Sequence, residues 1–252
     1  MKERTVIVTA GASGIGLAIA RHFIEAGDVV HICDVDAQAI ANFRDAHPGT
    51  TATVGSVANV ADVDRIFADL PTPHLDVLVN NAGIAGPTAA VEDIEPADWQ
   101  ATIDVDLTGP FLMMRRASPR LHSGGVVINI ASTAALFGYP NRSPYAAAKW
   151  GLVGLTKTWA MELGPRGIRV NAICPGSVSG PRIDGVIERD AAERGVTPGE
   201  VRDIYQQQTS MRLFVDAEDI AGMAGFLASE AGRYVSGQVI GVDGHTESLS
   251  VP

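Results

Sequence analysis

The stretch VIVTAGASGIGLAIA, residues 6–20, carries the strongest indication of the fold in this sequence. An apolar run rich in β-branched residues passes through a glycine-rich turn into a pattern typical of a helix. Gly11, Gly14 and Gly16 let a ligand approach backbone N–H groups, and the helix that follows offers its positive N-terminus to a pyrophosphate. The order of strand, turn and helix therefore predicts a dinucleotide-binding loop.

An acidic residue completes this pattern at the end of the second predicted strand. Asp34 lies 18 positions after Gly16, and its carboxylate can accept hydrogen bonds from a ribose 2′-OH while repelling a 2′-phosphate. Neither Ala12 nor Val35 supplies a positive charge that would bind such a phosphate. The sequence therefore favours NAD over NADP.

The rest of the chain alternates short β-branched runs with helical patterns. Such alternation predicts an α/β fold: one Rossmann-type doubly wound domain over 1–252, with a parallel sheet of about seven strands and helices on both faces. A long polar insertion, 179–213, predicts a substrate lid, with a mere surface elaboration as the alternative. The predicted strands are 4–10, 28–33, 50–55, 75–80, 125–131, 168–174 and 237–242, and the predicted helices are 14–26, 36–46, 60–69, 97–122, 144–163 and 216–229.

Composition excludes several classes of function. The 252 residues carry a net charge of −10 without a basic stripe, which argues against nucleic acid and acidic membranes as partners. No apolar run reaches the roughly 18 residues of a membrane span, and no signal-peptide pattern opens the chain. Cys33 and Cys174 lack CxxC spacing and suit a cytoplasmic setting, and no His or Cys spacing indicates a metal site.

The stretch SPYAAAKW, residues 143–150, carries the candidate chemistry. Tyr145 and Lys149 stand four residues apart and so lie on one face of a helix. An ammonium beside a phenol stabilises the phenolate, which makes the phenol usable as an acid or base. Ser132 ends a predicted strand, where its hydroxyl can bind a substrate oxygen. The alternative is an ordinary Tyr/Lys pair on an amphipathic helix.

From about residue 4 to 244 the sequence resembles the classical short-chain dehydrogenase/reductase family. The resemblance implies that Tyr145 is the general acid/base, that Lys149 assists it and holds the nicotinamide ribose, and that Ser132 orients the substrate oxygen. Hydride would pass between a substrate carbon and nicotinamide C4. The motifs that carry the resemblance are TAGASGIG (9–16), NNAG (80–83), NIAS (129–132), YAAAK (145–149), RVNAICPG (169–176) and VDG (242–244).

The same resemblance implies which residues line the cofactor and how subunits assemble. Asn81, Ala82 and Gly83 would lie on the adenosine side, and Pro175, Gly176 and Val178 along the nicotinamide. A homotetramer would pair the helices near 97–122 and 144–163. The full set expected at the dinucleotide is Gly11, Ser13, Gly14, Ile15, Gly16, Asp34, Val57, Asn81, Ala82, Gly83, Ile130, Tyr145, Lys149, Pro175, Gly176 and Val178.

Four positions depart from the family pattern. Ala10 stands where the first glycine is expected, Ser56 where an aspartate contacts adenine, and Gly180 where a threonine is common. Asp106 replaces an asparagine whose main-chain carbonyl is thought to hold a water of the proton relay. Because a main-chain oxygen survives this change, we expect activity to survive, and the carboxylate could attract Lys149.

These features favour an NAD-dependent oxidoreductase of secondary alcohols and ketones. The insertion is rich in Arg, Asp, Glu and Gln and poor in aromatic residues, which favours a small polyol, a sugar or a similar hydroxylated compound. One alternative is a 3-oxoacyl reductase-like enzyme, which Asp34 and the acidic net charge disfavour. Another is a nucleotide-sensing protein that binds the cofactor without turnover.

Overall fold

The computed structural model describes residues 3–249. Within that range, seven parallel strands form one sheet in the order β3-β2-β1-β4-β5-β6-β7. This confirms the predicted fold class. The strands are β1 (Thr5–Thr9), β2 (Val29–Asp34), β3 (Thr51–Val54), β4 (Leu75–Asn80), β5 (Leu121–Ile130), β6 (Arg169–Pro175) and β7 (Val239–Val242).

Helices cover both faces of the sheet, because alternate strand residues point to opposite sides. Val6 and Val8 pack in one core layer with α1 and α9, whereas Ile7 packs in the other with α3, α5 and α6. The helices are α1 (Gly14–Glu25), α2 (Ala37–Ala46), α3 (Val60–Ala68), α4 (Pro96–Ile103), α5 (Gly109–Ala117), α6 (Ser143–Leu163), α7 (Pro181–Arg194), α8 (Pro198–Gln207) and α9 (Ala217–Ala228).

The strand order reverses between β1 and β4, so the chain runs outward to β3 and then returns to the other side of β1. In open α/β sheets, ligands bind in the crevice that this reversal leaves beyond the carboxyl ends of the strands. The glycine-rich turn after β1 and the segment after β4 border that crevice.

The single helix predicted over 97–122 is wrong. The structure has α4, a π-helical turn over Asp104–Thr108, α5 and a 3₁₀ turn over Ser118–Arg120, and β5 begins at Leu121 rather than 125. Pro110 has no N–H to give to the carbonyl of Asp106 four residues earlier, which favours the wider turn. Pro119 likewise has no N–H to give to the carbonyl of Arg115 four residues earlier, so α5 passes into a 3₁₀ turn.

The insertion 179–213 contains two helices, α7 and α8. Thr197 and Glu200 form a capping box that starts α8. The two helices share an apolar cluster that includes Val186, Val201 and Tyr205. The role of the insertion as a lid stays a prediction. The interpretation of 1–252 as one domain also stays a prediction, and residues 1–2 and 250–252 lie outside the described range.

No helix within residues 3–249 is long and apolar enough to cross a membrane.

Candidate active site

The glycine-rich turn follows β1 with the close packing that its spacing predicts. A Cβ on Gly16 would lie 2.1 Å from the carbonyl oxygen of Ala10, and one on Gly11 would lie 2.6 Å from Cγ2 of Ile32. Gly14 has φ +51° and nothing near its missing Cβ, so this side of the turn is open. Only glycine lets the turn pack this tightly and leave room for a ligand.

The N-terminus of α1 is free to bind an anion. Ser13 is the N-cap residue, is exposed, and accepts no hydrogen bond with its side chain, and the first turn holds no acidic residue. The backbone N–H groups of this turn therefore face the open side without a side-chain cap, as a pyrophosphate requires. The residues present fit a dinucleotide cofactor.

Asp34 ends β2 and is fixed at the mouth of this turn. Its Oδ2 accepts a hydrogen bond from Ala12 N at 3.2 Å, and its Oδ1 accepts one from Asp36 N at 3.1 Å. Val35 beside it is 70% exposed. The carboxylate thus lies where a ribose at the end of β2 would meet it, and its role stays a prediction.

Ala10 adopts a left-handed backbone, with φ +49°. For an L-residue this costs about 1–2 kcal/mol, so the methyl at the family's glycine position is accommodated at the expense of strain. Gly180 precedes α7 with φ +132°, a conformation that a threonine would strain to adopt. Glycine at position 180 therefore allows the positive φ angle with which the chain enters α7.

The residues after β4 are held by Thr9, which sequence reasoning missed. Thr9 Oγ1 accepts hydrogen bonds from the backbone N–H groups of Asn81 and Ala82, both at 2.9 Å. The amide Nδ2 of Asn81 donates to the carbonyl oxygens of Thr9 at 2.9 Å and Ala10 at 3.2 Å. Asn81 therefore joins β4 to the glycine-rich turn. Thr9 opens the motif TAGASGIG (9–16), but nothing in the sequence shows that its hydroxyl reaches Asn81 and Ala82.

The other residues expected at the cofactor lie around the same edge of the sheet. Val57 is buried near Gly109, Ile15 is half-buried in α1, and Ile130 ends β5 with its carbonyl oxygen bonded to Lys149. Pro175 ends β6. Gly176 donates its N–H to Val242 O at 3.1 Å, and Val178 pairs with Val215. Their contacts with a cofactor stay predictions.

Ser56, at the expected adenine-contacting position, forms hydrogen bonds with neighbouring residues of the chain. Its Oγ accepts from Ala58 N at 3.2 Å, and its backbone N–H donates to Asp62 Oδ2 at 2.9 Å. That backbone hydrogen bond lowers the pKa of Asp62 below its usual value. The hydroxyl proton of Ser56 remains available as a donor.

Tyr145 and Lys149 lie on one face of α6, as their spacing predicts. The Lys149 ammonium is 5.5 Å from the centroid of the Tyr145 ring and is buried. It donates a hydrogen bond to Ile130 O at 3.2 Å. The half-buried phenol and the ammonium thus stand beside the carboxyl end of β5.

Asp106 is buried against Lys149. Its Oδ2 lies 3.2 Å from Lys149 Nζ, and its Oδ1 accepts from Ile84 N at 2.7 Å. Oδ2 has no hydrogen bond to any residue of 3–249, so the contact with the ammonium is ionic. A Cβ on Gly83 would lie 3.1 Å from Oδ2 and 3.2 Å from Nζ, which explains why glycine suits this position.

Ser132 follows β5 and faces the same region through the 3₁₀ turn Thr133–Ala135, which packs against α6. Its Oγ accepts a hydrogen bond from Ala134 N at 3.1 Å. Because the backbone fills an acceptor site on this oxygen, its proton is left to be donated to a substrate oxygen.

Arg142, immediately before α6, also belongs to this region, although no motif indicated it. Its guanidinium carbon lies 5.2 Å from the ring centroids of both Tyr139 and Tyr145, and its Nη2 donates to Ala85 O at 2.7 Å. The side chain is buried. A lone arginine between motifs carries no sequence signal of such a location.

The two cysteines are buried, and burial raises the pKa of Cys33 to about 12 and of Cys174 to about 11. Both thiols are therefore protonated at neutral pH and pack as small apolar groups. No group of three or more His, Cys, Asp or Glu within 3–249 is placed to hold a metal ion.

The site combines a doubly wound sheet, a glycine-rich turn open to a phosphate, and a Tyr/Lys pair at the carboxyl ends of the strands. This combination is typical of nicotinamide-dependent oxidoreductases that act on alcohol and ketone groups. Residues 9–245 match a family model described as enoyl-(acyl carrier protein) reductase. The chain belongs to the classical short-chain dehydrogenase/reductase family.

Characterised relatives match over almost the whole chain. The 3-oxoacyl-[acyl-carrier-protein] reductase FabG of Thermotoga maritima is 33% identical, covering 97% of this chain and 98% of the relative. The D-beta-hydroxybutyrate dehydrogenase of Cupriavidus necator is 36% identical with the same coverage of both chains. A crystal structure of an actinorhodin polyketide ketoreductase with NADPH superimposes with a TM-score of 0.89 at 30% identity, covering 96% of each chain.

Proposed function

We propose that this enzyme transfers a hydride between NAD and a secondary alcohol or ketone, with Ser132, Tyr145 and Lys149 as its catalytic residues. The observation that carries the proposal is the buried Lys149 ammonium beside the Tyr145 ring, at the same edge of the sheet as the open phosphate-binding turn. An acid/base group and a cofactor turn at one crevice are what alcohol oxidation needs.

Each residue has one task in this reaction. A nicotinamide bound at this edge of the sheet would supply or accept the hydride. Ser132 donates its free proton to the substrate oxygen and fixes its position. Tyr145 removes the hydroxyl proton during oxidation and returns it during reduction. Lys149 stabilises the phenolate that oxidation requires.

Replacement of Asp106 by asparagine tests whether its charge affects this chemistry. The change keeps an acceptor for Ile84 N–H and removes the negative charge beside Lys149. We expect turnover within about tenfold of wild type, because the main-chain oxygen is kept and only a supporting charge is lost. The pH–rate profile should change in at least one limb, because the substitution removes the counterion of the buried ammonium beside Tyr145.

The measurement is kcat and kcat/KM from mildly acidic to alkaline pH, with Asp104→Asn as the matched control. Asp104 belongs to the same π-helical turn but hydrogen-bonds the exposed Gln100 instead. Superimposable profiles for wild type and Asp106→Asn would remove Asp106 from the chemistry.

NAD is the proposed cofactor because the carboxylate of Asp34, fixed beside Ala12 N at the end of β2, would accept hydrogen bonds from a ribose 2′-OH and would repel a 2′-phosphate. The superimposed ketoreductase holds NADPH, so family membership alone does not decide between the two cofactors.

We expect Asp34→Asn to lower the ratio of kcat/KM for NAD over NADP by about tenfold, because the change removes the charge that repels the phosphate. An acceptor for Ala12 N–H survives, so the turn should keep its shape. Asp36→Asn is the control, since Asp36 carries an equal charge two residues away and caps α2. An unchanged ratio in Asp34→Asn would mean that another group recognises the ribose, and an equal change in both variants would mean that the preference depends on charge near the turn rather than on Asp34.

Small polyols, sugars or similar hydroxylated compounds are the proposed substrates. The polar surface of the insertion and the relative named for hydroxybutyrate support this class. The similarity to the FabG of Thermotoga maritima keeps a 3-oxoacyl substrate as the second candidate. A protein that senses the nucleotide without turnover is the third.

One screen separates these candidates. Initial rates are measured with NAD and NADP against polyols, sugars, hydroxy acids and 3-oxoacyl thioesters, while fluorescence titration reports NADH binding. Oxidation of small hydroxylated compounds with NAD supports the proposal. Binding of NADH without turnover at any pH would favour the sensor, and preferential reduction of thioesters with NADPH would favour the acyl reductase.

A cytoplasmic homotetramer is the proposed assembly and location. Four large apolar side chains on α4, α5 and α6 are exposed in the single chain and suit burial between subunits. They are Trp99, Phe111, Trp150 and Met161. A small-molecule alcohol or ketone is the proposed partner, rather than nucleic acid or a membrane.

A further inference from the structure

Arg142 carries a buried guanidinium whose charge no carboxylate of the described residues balances. It is only 3% exposed, and no carboxylate within residues 3–249 forms an ion pair with it. Within the same range, its guanidinium donates one hydrogen bond, from Nη2 to the carbonyl oxygen of Ala85, and its buried Nε has no hydrogen-bond partner. A buried charge without a counterion costs free energy unless a ligand supplies one.

The neighbours of Arg142 cannot provide the missing negative charge. Burial raises the pKa of Tyr139 and of Tyr205, so both phenols stay neutral. Beyond these two phenols lies the carboxylate of Asp190. It already accepts a hydrogen bond from the Tyr205 hydroxyl at 3.0 Å and forms an ion pair with Arg194 at 2.7 Å. On the other side, the charge of Lys149 is matched by Asp106.

Arg142 lies beside Tyr145, the proposed acid/base. Its guanidinium carbon and the Lys149 ammonium lie 5.2 Å and 5.5 Å from the centroid of the Tyr145 ring. The guanidinium also contacts Tyr139, whose hydroxyl lies 3.1 Å from that of Tyr205 in α8 of the insertion. Arg142 therefore stands between the candidate acid/base and the insertion predicted to cover the substrate.

We propose that Arg142 binds a carboxylate of the substrate, so that the enzyme acts on hydroxy acids and the corresponding keto acids. One unbalanced positive charge matches one carboxylate, and a guanidinium with free N–H groups can bind both of its oxygens. The uncapped N-terminus of α6, with no acidic residue in its first turn, adds favourable potential. This inference rests on the proposed function, since it places the substrate beside Tyr145.

Pairs of substrates that differ only in charge test the assignment. Wild type is compared on 3-hydroxybutyrate and 3-hydroxybutyramide, and on 4-hydroxycyclohexanecarboxylate and its amide. We expect kcat/KM to favour the acids, and Arg142→Met to reduce the acid-to-amide ratio by about tenfold or more through KM, because a charged hydrogen bond is lost. Arg142→Lys should restore part of the preference, since it restores the charge.

The ratio of kcat/KM for the acid to kcat/KM for the amide separates recognition of the carboxylate from a general role of Arg142 in supporting the fold. Arg142 also contacts Tyr145 and Ala85, so its loss can slow turnover of every substrate, but that effect cancels in the ratio. Equal losses on acids and amides in Arg142→Met would overturn the proposal, as would an unchanged preference for acids.

A binding measurement keeps the inference testable if no alcohol is oxidised. Cyclohexanecarboxylate and cyclohexanecarboxamide are titrated into the complex of enzyme with NADH by calorimetry. We expect wild type to bind the carboxylate at least tenfold more tightly than the amide and Arg142→Met to lose this difference. Carboxylate binding without turnover would refute only the proposed function, whereas equal binding of the two probes by wild type would refute the role of Arg142.

Discussion

Tyr145→Phe is expected to lower kcat by about 10²-fold or more, the range usual for loss of a general acid or base. The substitution removes the one proton that the side chain can transfer and keeps the ring that packs beside Lys149 and Arg142. Binding of NADH should change little, because the phosphate-binding turn and Asp34 are untouched. Steady-state kinetics in both directions and fluorescence titration of NADH measure the two effects.

The matched control is Tyr234→Phe, which removes the same hydroxyl from a side chain that is 89% exposed. It should leave kcat and NADH affinity unchanged. Near-normal turnover of Tyr145→Phe would refute the assignment of Tyr145 as acid/base. A parallel loss of NADH binding would instead mean that the phenol mainly positions the cofactor.

Gly16→Ala is expected to weaken NADH binding by roughly 10- to 100-fold. The added Cβ would lie 2.1 Å from Ala10 O and 2.5 Å from Nδ2 of Asn81, so the turn would have to open. Overpacking of this kind costs about 1–3 kcal/mol, which corresponds to that loss of affinity when the displaced atoms form the binding site. Fluorescence titration of NADH gives the affinity, and thermal unfolding gives the cost to the fold.

Gly222→Ala provides the control for Gly16→Ala. Gly222 is exposed in α9, and an added Cβ there meets no atom within 4 Å, so the change should preserve affinity and slightly stabilise the helix. If Gly16→Ala bound NADH as wild type does, the turn after β1 would not be the phosphate site.

Local patterns in the sequence were sufficient for the architecture and for the predicted acid/base pair. A continuous run of apolar β-branched residues predicts a strand such as Thr5–Thr9, because both faces of a covered sheet are buried and alternate side chains pack in opposite layers. The spacing of Tyr145 and Lys149 places them on one helical face because residues four apart are neighbours on a helix. Neither inference needs to know what packs against the element.

The π-helical turn at Asp104–Thr108 shows where local patterns fail. Residues 97–122 carry a continuous helical pattern, but the structure interrupts it so that Asp106 is buried beside Lys149. Pro110 favours the wider turn, but which side chain the change of helical register buries depends on what the turn packs against, and the sequence of the turn does not contain that information.

Local sequence was enough to predict the strand–turn–helix unit around Gly11, Gly14 and Gly16, the acidic end of β2 and the Tyr145/Lys149 face, because each depends on residues close together in the chain. Three contacts became visible only in the folded chain: Thr9 holds Asn81, Asp106 pairs with Lys149, and Arg142 is buried with no carboxylate of residues 3–249 paired to it. These contacts join residues from different strands and helices. The order of strands in the sheet sets their distances, and the balance of charge in the crevice follows from that order.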